Sequence, residues 1–296
     1  MIRGQRHMAI AVRRPDGDIL VHAEPLEGAI YVSRLVKLPF VRGFGLLWDT
    51  LVLGIRSLLF SANVSLEQEE AEISSGMVTG ILAAALLVAV VLFFVAPLLV
   101  MGWLDQFISS SIVSNIAEGV IRLGVFLAYL LAVSFMPDVK RLFAYHGAEH
   151  KSVNAFEAGE VTDDGVGNVQ KYSTAHPRCG TGFLLVVMVV SIVAFALLGR
   201  PPMWLRVLSR ILLVPVIASI SYEFLRLGAK HFRNRVVRLI FAPGLALQRL
   251  TTRQPDDKQV EVAVAALRRA LQEDGLLARE AEPASLASTT AGLAPA

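Results

Sequence analysis

Two long runs without a charged residue, 77–101 and 180–199, constrain the fold of this chain more than any other feature of its sequence. Each reaches the length of about 20 residues that a helix needs to cross the hydrocarbon core of a bilayer. Inside lipid every backbone polar group must be satisfied within the segment, and a helix does this. The sequence therefore predicts a mainly α-helical, polytopic membrane protein.

Two weaker runs complete a predicted transmembrane domain of about four spans within residues 77–228. Residues 119–136 follow an apolar, serine-rich segment at 107–117, for which an interfacial position is predicted. The span at 119–136 starts beside Glu118 and Arg122, which have the spacing of an i,i+4 ion pair. The last run, 204–227, contains four charged residues, and we expect its arginines to extend toward the membrane surfaces: Arg206, Arg210, Glu223 and Arg226.

The composition and the distribution of positive charge agree with this topology. Hydrophobic residues make up 54% of the chain and charged residues 18%, far from the balance of soluble domains. Basic residues concentrate before residue 77, in the loop 137–179 and at 226–238, whereas the loop 102–106 has none. The positive-inside rule then predicts that both termini and the loop 137–179 are cytoplasmic. Three arginines contradict this orientation: Arg200, Arg206 and Arg210.

Residues 1–76 are predicted to form a cytosolic portion with a small β-hairpin and an interfacial helix. A Pro-Asp-Gly turn at 15–17 separates two apolar runs within residues 7–24, which is typical of a hairpin. Residues 41–60 are apolar except for a stripe of three charges spaced by seven: Arg42, Asp49 and Arg56. Each charge near the bilayer centre costs about 2.5–3.5 kcal/mol, which favours a helix in the interface plane. An acidic linker at 67–72 follows.

The remainder of the chain is predicted to leave the membrane. Residues 229–280 contain a basic juxtamembrane segment at 229–253, followed by an amphipathic helix at 258–273. The basic segment is either a solvated flank or a contact with anionic lipid headgroups. Nucleic acid is not expected as a partner, because no nucleic-acid-binding motif accompanies the charge. Residues 281–296, rich in Ala, Ser, Thr and Pro, are predicted to be a disordered tail.

The sequence Tyr-His-Gly-Ala-Glu-His-Lys at 145–151 is the strongest candidate for chemistry. His146 and His150 are four residues apart, so on a helix they share one face and can bind one cation. Glu149 completes His-x-x-Glu-His, the inverted order of the zinc-protease helix motif. A carboxylate in this place can accept a proton from a zinc-activated water. Two solvated histidines on a surface helix are the simpler alternative.

Other ligand-type residues fall on the same predicted side of the membrane. His176 and Cys179, the only cysteine, precede the third span by a few residues, and their spacing would allow both to bind one ion. Glu223 lies near the cytoplasmic end of the fourth span, and Glu157 lies on the helical face of His146. Each residue alone has an ordinary structural role as an alternative; together they indicate a metal site.

Two arrangements of such a site follow. In the open arrangement the two motif histidines and a carboxylate hold zinc and leave a fourth position for water. Glu223 is our first choice for that carboxylate and Glu157 the second, with Glu149 as general base and Arg178 stabilising an anionic intermediate. In the closed arrangement the metal is structural and has four protein ligands: His146, His150, His176 and Cys179. We favour the open form, because the closed form gives Glu149 and Glu223 no role.

Several blocks of the chain resemble the YqhQ-like proteins, a family of bacterial membrane proteins without an assigned reaction. The blocks are the sequences at 145–151, 176–181, 221–223 and 242–253, with Met-Ile-Arg-Gly at 1–4 and Ser-Ala-Asn at 61–63. Members usually carry a glycine-rich stretch ahead of the first Arg-Gly pair. Because this chain starts inside that region, either the natural protein extends upstream of Met1 or the site lacks part of an N-terminal wall. The resemblance implies a multi-span protein of the inner membrane with a metal-dependent activity.

The functional hypothesis from these patterns is a membrane-embedded hydrolase with a cytoplasm-facing zinc site, acting on a peptide, a lipid headgroup or another membrane-proximal substrate. The alternative is a non-enzymatic membrane scaffold or assembly factor with a structural metal site. A transporter is a third hypothesis, although the chain has no internal repeat of the kind that marks transporter folds.

Overall fold

The computed structural model describes residues 1–27, 31, 38–66, 75–160, 166–199 and 201–277. The predicted acidic linker at 67–72 and the predicted tail at 281–296 lie outside these ranges. Within them the chain is mainly helical with one small sheet, which confirms the predicted fold class.

The sheet contains three antiparallel strands in the order β1 (Ile2–Arg3), β2 (His7–Arg13) and β3 (Ile19–Pro25). β2 and β3 form the predicted hairpin, with His7 opposite Pro25 and Arg13 opposite Ile19. Gly17 in the turn has a φ of 101°, a backbone conformation that favours glycine. The strand β1, which was not predicted, pairs with β2 at Ala9 and Met8.

The helices follow the predicted order, with clear sequence signals at several ends. Ser110 accepts a hydrogen bond from the Val113 N–H at one N-terminus, and Asp256 forms a capping box with Gln259 at another. In chain order the helices are α1 (Val41–Leu66), α2 (Ser75–Val90), a π-helical turn (Val91–Val95), α3 (Ala96–Leu104), α4 (Ser111–Val133), α5 (Pro137–Glu157), α6 (Val166–Val169), α7 (Gly180–Leu198), α8 (Met203–Lys230), α9 (Arg235–Thr251) and α10 (Asp257–Glu273).

Five helical segments of the described chain are long and apolar enough to cross a bilayer, which indicates a membrane protein: Val41–Ser65, Gly76–Leu104, Ser111–Val133, Gly180–Leu198 and Trp204–Lys230. The last four correspond to the predicted spans. The segment predicted to be interfacial at 107–117 instead contributes its second half to the first turns of α4.

The path of the chain bears on the position of α1. The sheet packs on α10 and α10 packs on α5, so these three elements lie on the same side of the membrane. The segment α2–α3 and the helix α4 each cross once between the sheet and α5. A third crossing by α1 would place the sheet on the opposite side. This path agrees with the predicted position of α1 along the membrane surface and with the predicted four spans.

The sheet, α5, α6 and α10 pack on one another as one folded unit, which we call the polar cap. One face of the sheet packs on α10 through Ile2, Ala9, Leu267 and other apolar side chains. The other face, which includes Met8, packs on Leu53 and further residues of α1. α1 thus lies between the sheet and α8.

Two of the arginines that contradict the predicted orientation are buried inside the helical bundle. Arg210 of α8 forms an ion pair with Glu118 of α4, and Arg206 lies 3.6 Å from Asp105. The side chains of Arg206 and Arg210 are 9% and 4% exposed, so the expectation that they extend to the surface was wrong. Their charges compensate acids of neighbouring helices, and they therefore carry little information about orientation.

The first testable prediction concerns Asp274, which fastens the N-terminus to the cap. Its carboxylate accepts hydrogen bonds from the backbone N–H groups of Gln5 and Arg6 and from His7 Nδ1 at 3.0 Å. Burial raises the pKa of this carboxyl, but these hydrogen bonds lower it more, and the pKa is below its ordinary value. We expect Asp274→Ala to cost about 2–3 kcal/mol of stability, measured by thermal unfolding in detergent.

The pH dependence of this effect has a definite sign. Because the folded-state pKa of Asp274 is depressed, its contribution is present above the unfolded-state pKa and is lost as the pH falls through the folded value. The difference between the wild type and Asp274→Ala should therefore shrink on acidification below about pH 4. Asp18→Ala, at an exposed position of the hairpin, is the matched control. An equal loss in both variants would contradict the assigned role.

Candidate metal centre

The motif helix α5 presents its two histidines on one face, against the rest of the cap. The rings of His146 and His150 lie one turn apart with their centroids 4.4 Å from each other. Between them, Gly147 approaches the backbone so closely that a Cβ atom there would lie 2.0 Å from the Arg253 carbonyl oxygen. Ala148 is fully buried against α10. The small residues of the motif thus allow α5 to approach the segment after α9.

Cys179 joins the two histidines, although it is 33 residues from His146 in the chain. It occupies the N-cap position of α7 and is buried. Its Sγ lies 3.4 Å from His146 Nε2, and one ligand atom from each of His146, His150 and Cys179 lies within 4.8 Å of the others. Two imidazoles and a thiolate are a donor set typical of zinc. We call these three residues the His-His-Cys cluster.

Backbone carbonyls orient both histidines of the cluster. His146 Nδ1 lies 2.9 Å from the Thr251 oxygen, and His150 Nδ1 lies 2.6 Å from the Thr174 oxygen. A carbonyl oxygen can only accept, so each Nδ1 carries a hydrogen. In the neutral ring Nε2 then has a free lone pair. Metal-binding histidines are commonly oriented by such a hydrogen bond from the second ring nitrogen.

The electrostatics of the cluster favour a thiolate. Burial alone raises the pKa of the Cys179 thiol, but hydrogen bonds and charge interactions with His146 and His150 outweigh it and lower the pKa to about 5. Burial lowers the pKa of the His146 imidazole. The contact with Cys179 raises this pKa by more, so it lies above its ordinary value. The thiolate is the form of cysteine that binds metal. Binding would then release the proton that the pair holds.

His176 lies next to the cluster without belonging to it. Its ring centroid is 5.8 Å from that of His150, while its Nδ1 accepts a hydrogen bond from the Arg178 N–H. Its Nε2 is 3.4 Å from Glu157, an ion-pair distance without hydrogen-bond geometry. Burial and the charge of His150 lower its pKa. The structure therefore brings together three ligands of the closed arrangement but not the fourth.

The two carboxylates considered for the open arrangement have other partners. Glu157 forms an ion pair with Arg178 and lies near His176. Glu223 binds Arg42 of α1 through both of its oxygens, with a distance of 2.6 Å to Arg42 Nε, and it accepts from the Phe40 N–H. Neither carboxylate belongs to the His-His-Cys cluster found among the described residues. The expected approach of Glu223 to the two histidines is thus corrected: it joins α1 to α8.

Glu149 remains beside the cluster. Its side chain is half-buried, and its charge acts on both His146 and His176. Within the ranges that the structure describes it has no assigned hydrogen bond or ion pair. The guanidinium of Arg178 is 59% exposed and is held by Glu157.

Sequence reasoning missed the residues that position the cluster. Gln248 is 2% exposed; its Oε1 accepts from the His176 N–H, and its Nε2 donates to the His176 carbonyl, both at 2.9 Å. Thr251, one turn further along α9, supplies the carbonyl for His146. Both residues belong to the block at 242–253, which had been predicted to be part of a solvated flank or of a lipid contact and not part of the site. An uncharged polar residue such as Gln248 within an amphipathic helix was the available signal.

Fold and site together define a polytopic helical membrane protein with a His-His-Cys cluster where its polar cap meets the spans. The chain belongs to the family described as "Protein of unknown function (DUF1385)", whose model matches residues 38–273. It is 33% identical over 300 residues to the uncharacterized protein YqhQ of Bacillus subtilis (strain 168), covering 96% of this chain and 92% of that protein. This confirms the resemblance noted from the motif blocks. No solved structure matches the chain.

Proposed function

We propose that this protein is a zinc-dependent hydrolase in which His146, His150 and Cys179 hold the metal and leave one position for water. The observation that carries the proposal is the convergence of these three donors within 4.8 Å, with both Nδ1 atoms engaged by carbonyl oxygens. Three protein ligands and an open position are the pattern of catalytic zinc sites, whereas structural sites are closed by four. Cys179 thus replaces Glu223 as the proposed third ligand.

The residues around the cluster supply the rest of the chemistry. Bound zinc would lower the pKa of water to about 7 and polarise a carbonyl or phosphoryl oxygen. Glu149 accepts the proton of the attacking water and returns it to the leaving group. Arg178, the exposed cation beside His176, leaves its ion pair with Glu157 and binds the negative charge that develops on the substrate.

The proposed location is the inner membrane of a bacterium, with the polar cap and both chain ends in the cytoplasm. Support comes from the basic residues of the cap side, including the six exposed arginines and lysines at 226–249. Two of the three arginines that argued against this orientation, Arg206 and Arg210, are compensated within the bundle, and Arg200 lies outside the described residues.

One contact favours a second candidate function. Cys179 Sγ and His146 Nε2 lie 3.4 Å apart, with the pKa of the thiol lowered to about 5. A thiolate beside an imidazolium is also the nucleophile of metal-free acyl-transfer enzymes. The two functions differ in whether the purified protein contains metal.

Metal analysis of purified variants tests the proposal. We expect about one zinc per chain in the wild type, and background levels in His150→Ala and Cys179→Ser, because each removes a donor atom. Glu223→Gln is the matched control and should retain its zinc, since Glu223 binds Arg42. Retention of zinc in Cys179→Ser together with loss in Glu223→Gln would restore the carboxylate arrangement. A metal-free wild type whose Cys179 reacts rapidly with iodoacetamide near neutral pH would favour the thiol nucleophile.

A further inference from the structure

An apolar cavity of about 230 Å³ lies between α7, α8 and α9. Its walls are aliphatic and aromatic side chains from all three helices, including Val186 and Val190 of α7, Leu225 of α8 and Phe241 of α9. Gln248 is the one polar side chain among its lining residues. A cavity with this lining gives no hydrogen-bond partners to water, so it suits a hydrocarbon chain.

The cavity extends along α7 and has exposed side chains among its lining residues. Its lining along α7 runs from Gly182 to Val190, about 12 Å at the rise of an α-helix. Three lining residues are exposed at its outer side, Val189 by 51%, Phe224 by 43% and Ile240 by 54%. Val189 and Phe224 belong to the candidate spans α7 and α8, where exposed side chains face lipid, so acyl chains are the molecules that meet this side of the cavity.

The inner end of the cavity adjoins the His-His-Cys cluster. Pro177 and Gly182 line it, and Cys179 lies between them in the chain. Gln248 lines this end, with its amide fixed on the backbone of His176. A chain that fills the cavity thus places the polar end of its molecule near the cluster.

The segment 226–249, which supplies the α9 wall of the cavity, carries only positive charge. Between residues 226 and 249 the sequence contains no Asp or Glu, and six exposed basic residues: Arg226, Lys230, Arg233, Arg235, Arg238 and Arg249. Basic residues near an anionic membrane surface are attracted to its headgroups. An anionic headgroup is therefore favoured over a zwitterionic one.

We propose that this cavity, the α7–α9 pocket, binds one acyl chain of an anionic membrane lipid, and that the substrates of the metal centre are acyl-bearing amphiphiles. The statement about substrates rests on the proposed function. The binding of the chain does not, since it depends on the apolar lining and the basic surface alone.

Photocrosslinking tests the pocket directly. The protein is reconstituted in nanodiscs that contain phosphatidylglycerol with a diazirine on one acyl chain, and labelled peptides are identified by mass spectrometry. We expect labelling concentrated at the pocket residues of α7 and α9. Val186→Trp fills the pocket and should reduce this labelling about tenfold or more, because several buried methylenes lose their site. Leu184→Trp, on the same helix but outside the lining, should leave it unchanged.

Three further outcomes complete the test. Equal labelling of all lipid-facing helices would overturn the proposal, and so would equal effects of the two tryptophan variants. Unchanged zinc content and a single size-exclusion peak show that the loss of labelling in Val186→Trp is not caused by misfolding. Replacing Arg233, Arg235 and Arg238 by Gln should reduce the preference for phosphatidylglycerol over phosphatidylcholine by more than about tenfold. Labelling that persists in zinc-free His150→Ala supports the pocket even if the hydrolase function fails, whereas its loss there would contradict an independent lipid site.

Discussion

Replacing Glu118 by alanine is expected to destabilise the membrane domain by about 3–5 kcal/mol. Glu118 accepts a hydrogen bond from Arg122 at 2.8 Å and forms a second ion pair with Arg210. Its side chain is 3% exposed, and both arginines are buried. The substitution leaves two guanidinium groups without their counter-charge inside an apolar helical bundle, and an uncompensated buried charge costs far more than a lost surface pair.

Further contacts of the triad formed by Glu118, Arg122 and Arg210 are with uncharged groups. Arg122 Nε donates to the Phe93 carbonyl in the π-helical turn at 3.0 Å, and the ring of Phe195 lies 4.5 Å from the Arg210 guanidinium. An irregular turn of this kind frees carbonyl groups that a regular helix would use. These contacts connect α4, α7 and α8 to the first span, but none of them carries negative charge.

Thermal unfolding of the purified protein in detergent measures the effect. A variant in which Glu118, Arg122 and Arg210 are all replaced by Leu is the matched control, since replacing a whole buried ionic network by apolar residues is often neutral or stabilising. We expect this triple variant to recover most of the loss. If Glu118→Ala unfolds at the wild-type temperature, the triad does not stabilise the bundle.

The fold could be predicted where the signal was local. Uncharged runs of spanning length identified α2–α3 and α7, and the Pro-Asp-Gly turn identified the hairpin, because each depends on neighbouring residues. The partners of the buried arginines could not be predicted in this way. Arg210 and Glu118 are separated by 92 residues in the chain. The local sequence around a charged residue in a span does not show whether its side chain reaches the surface or forms an ion pair inside the bundle.

The candidate site shows the same division. The i,i+4 spacing brought His146 and His150 together correctly, since a helix of ordinary geometry places them on one face. The identity of the third residue of the cluster depends on long-range packing. Glu223 was preferred because a carboxylate within a span is expected to have a partner or a function. Its partner is Arg42, 181 residues away in the chain. Cys179 reaches the histidines because α7 starts where α5 of the cap meets α9.

Glu149→Gln is expected to remove hydrolysis while the metal is retained. A general base contributes about 10²–10⁴-fold to the rate, and glutamine keeps the shape of the side chain without accepting a proton. Glu149 lies beside the cluster but is not one of its three donors, so zinc content should remain near the wild-type value. Hydrolysis of p-nitrophenyl esters by the purified protein, followed against pH, measures the loss, and zinc is determined on the same samples.

Asp138→Asn, an exposed acid in the first turn of the same helix, is the control and should keep both zinc and activity. The two readouts separate the roles that Glu149 could have. Loss of zinc in Glu149→Gln would make it a ligand, and a fourth protein donor would leave no position for water, which argues for a structural site. Full activity with full zinc would mean that another group accepts the proton. Only the combination of retained metal and lost turnover requires a base at this position, because the substitution then changes the reaction and not the site.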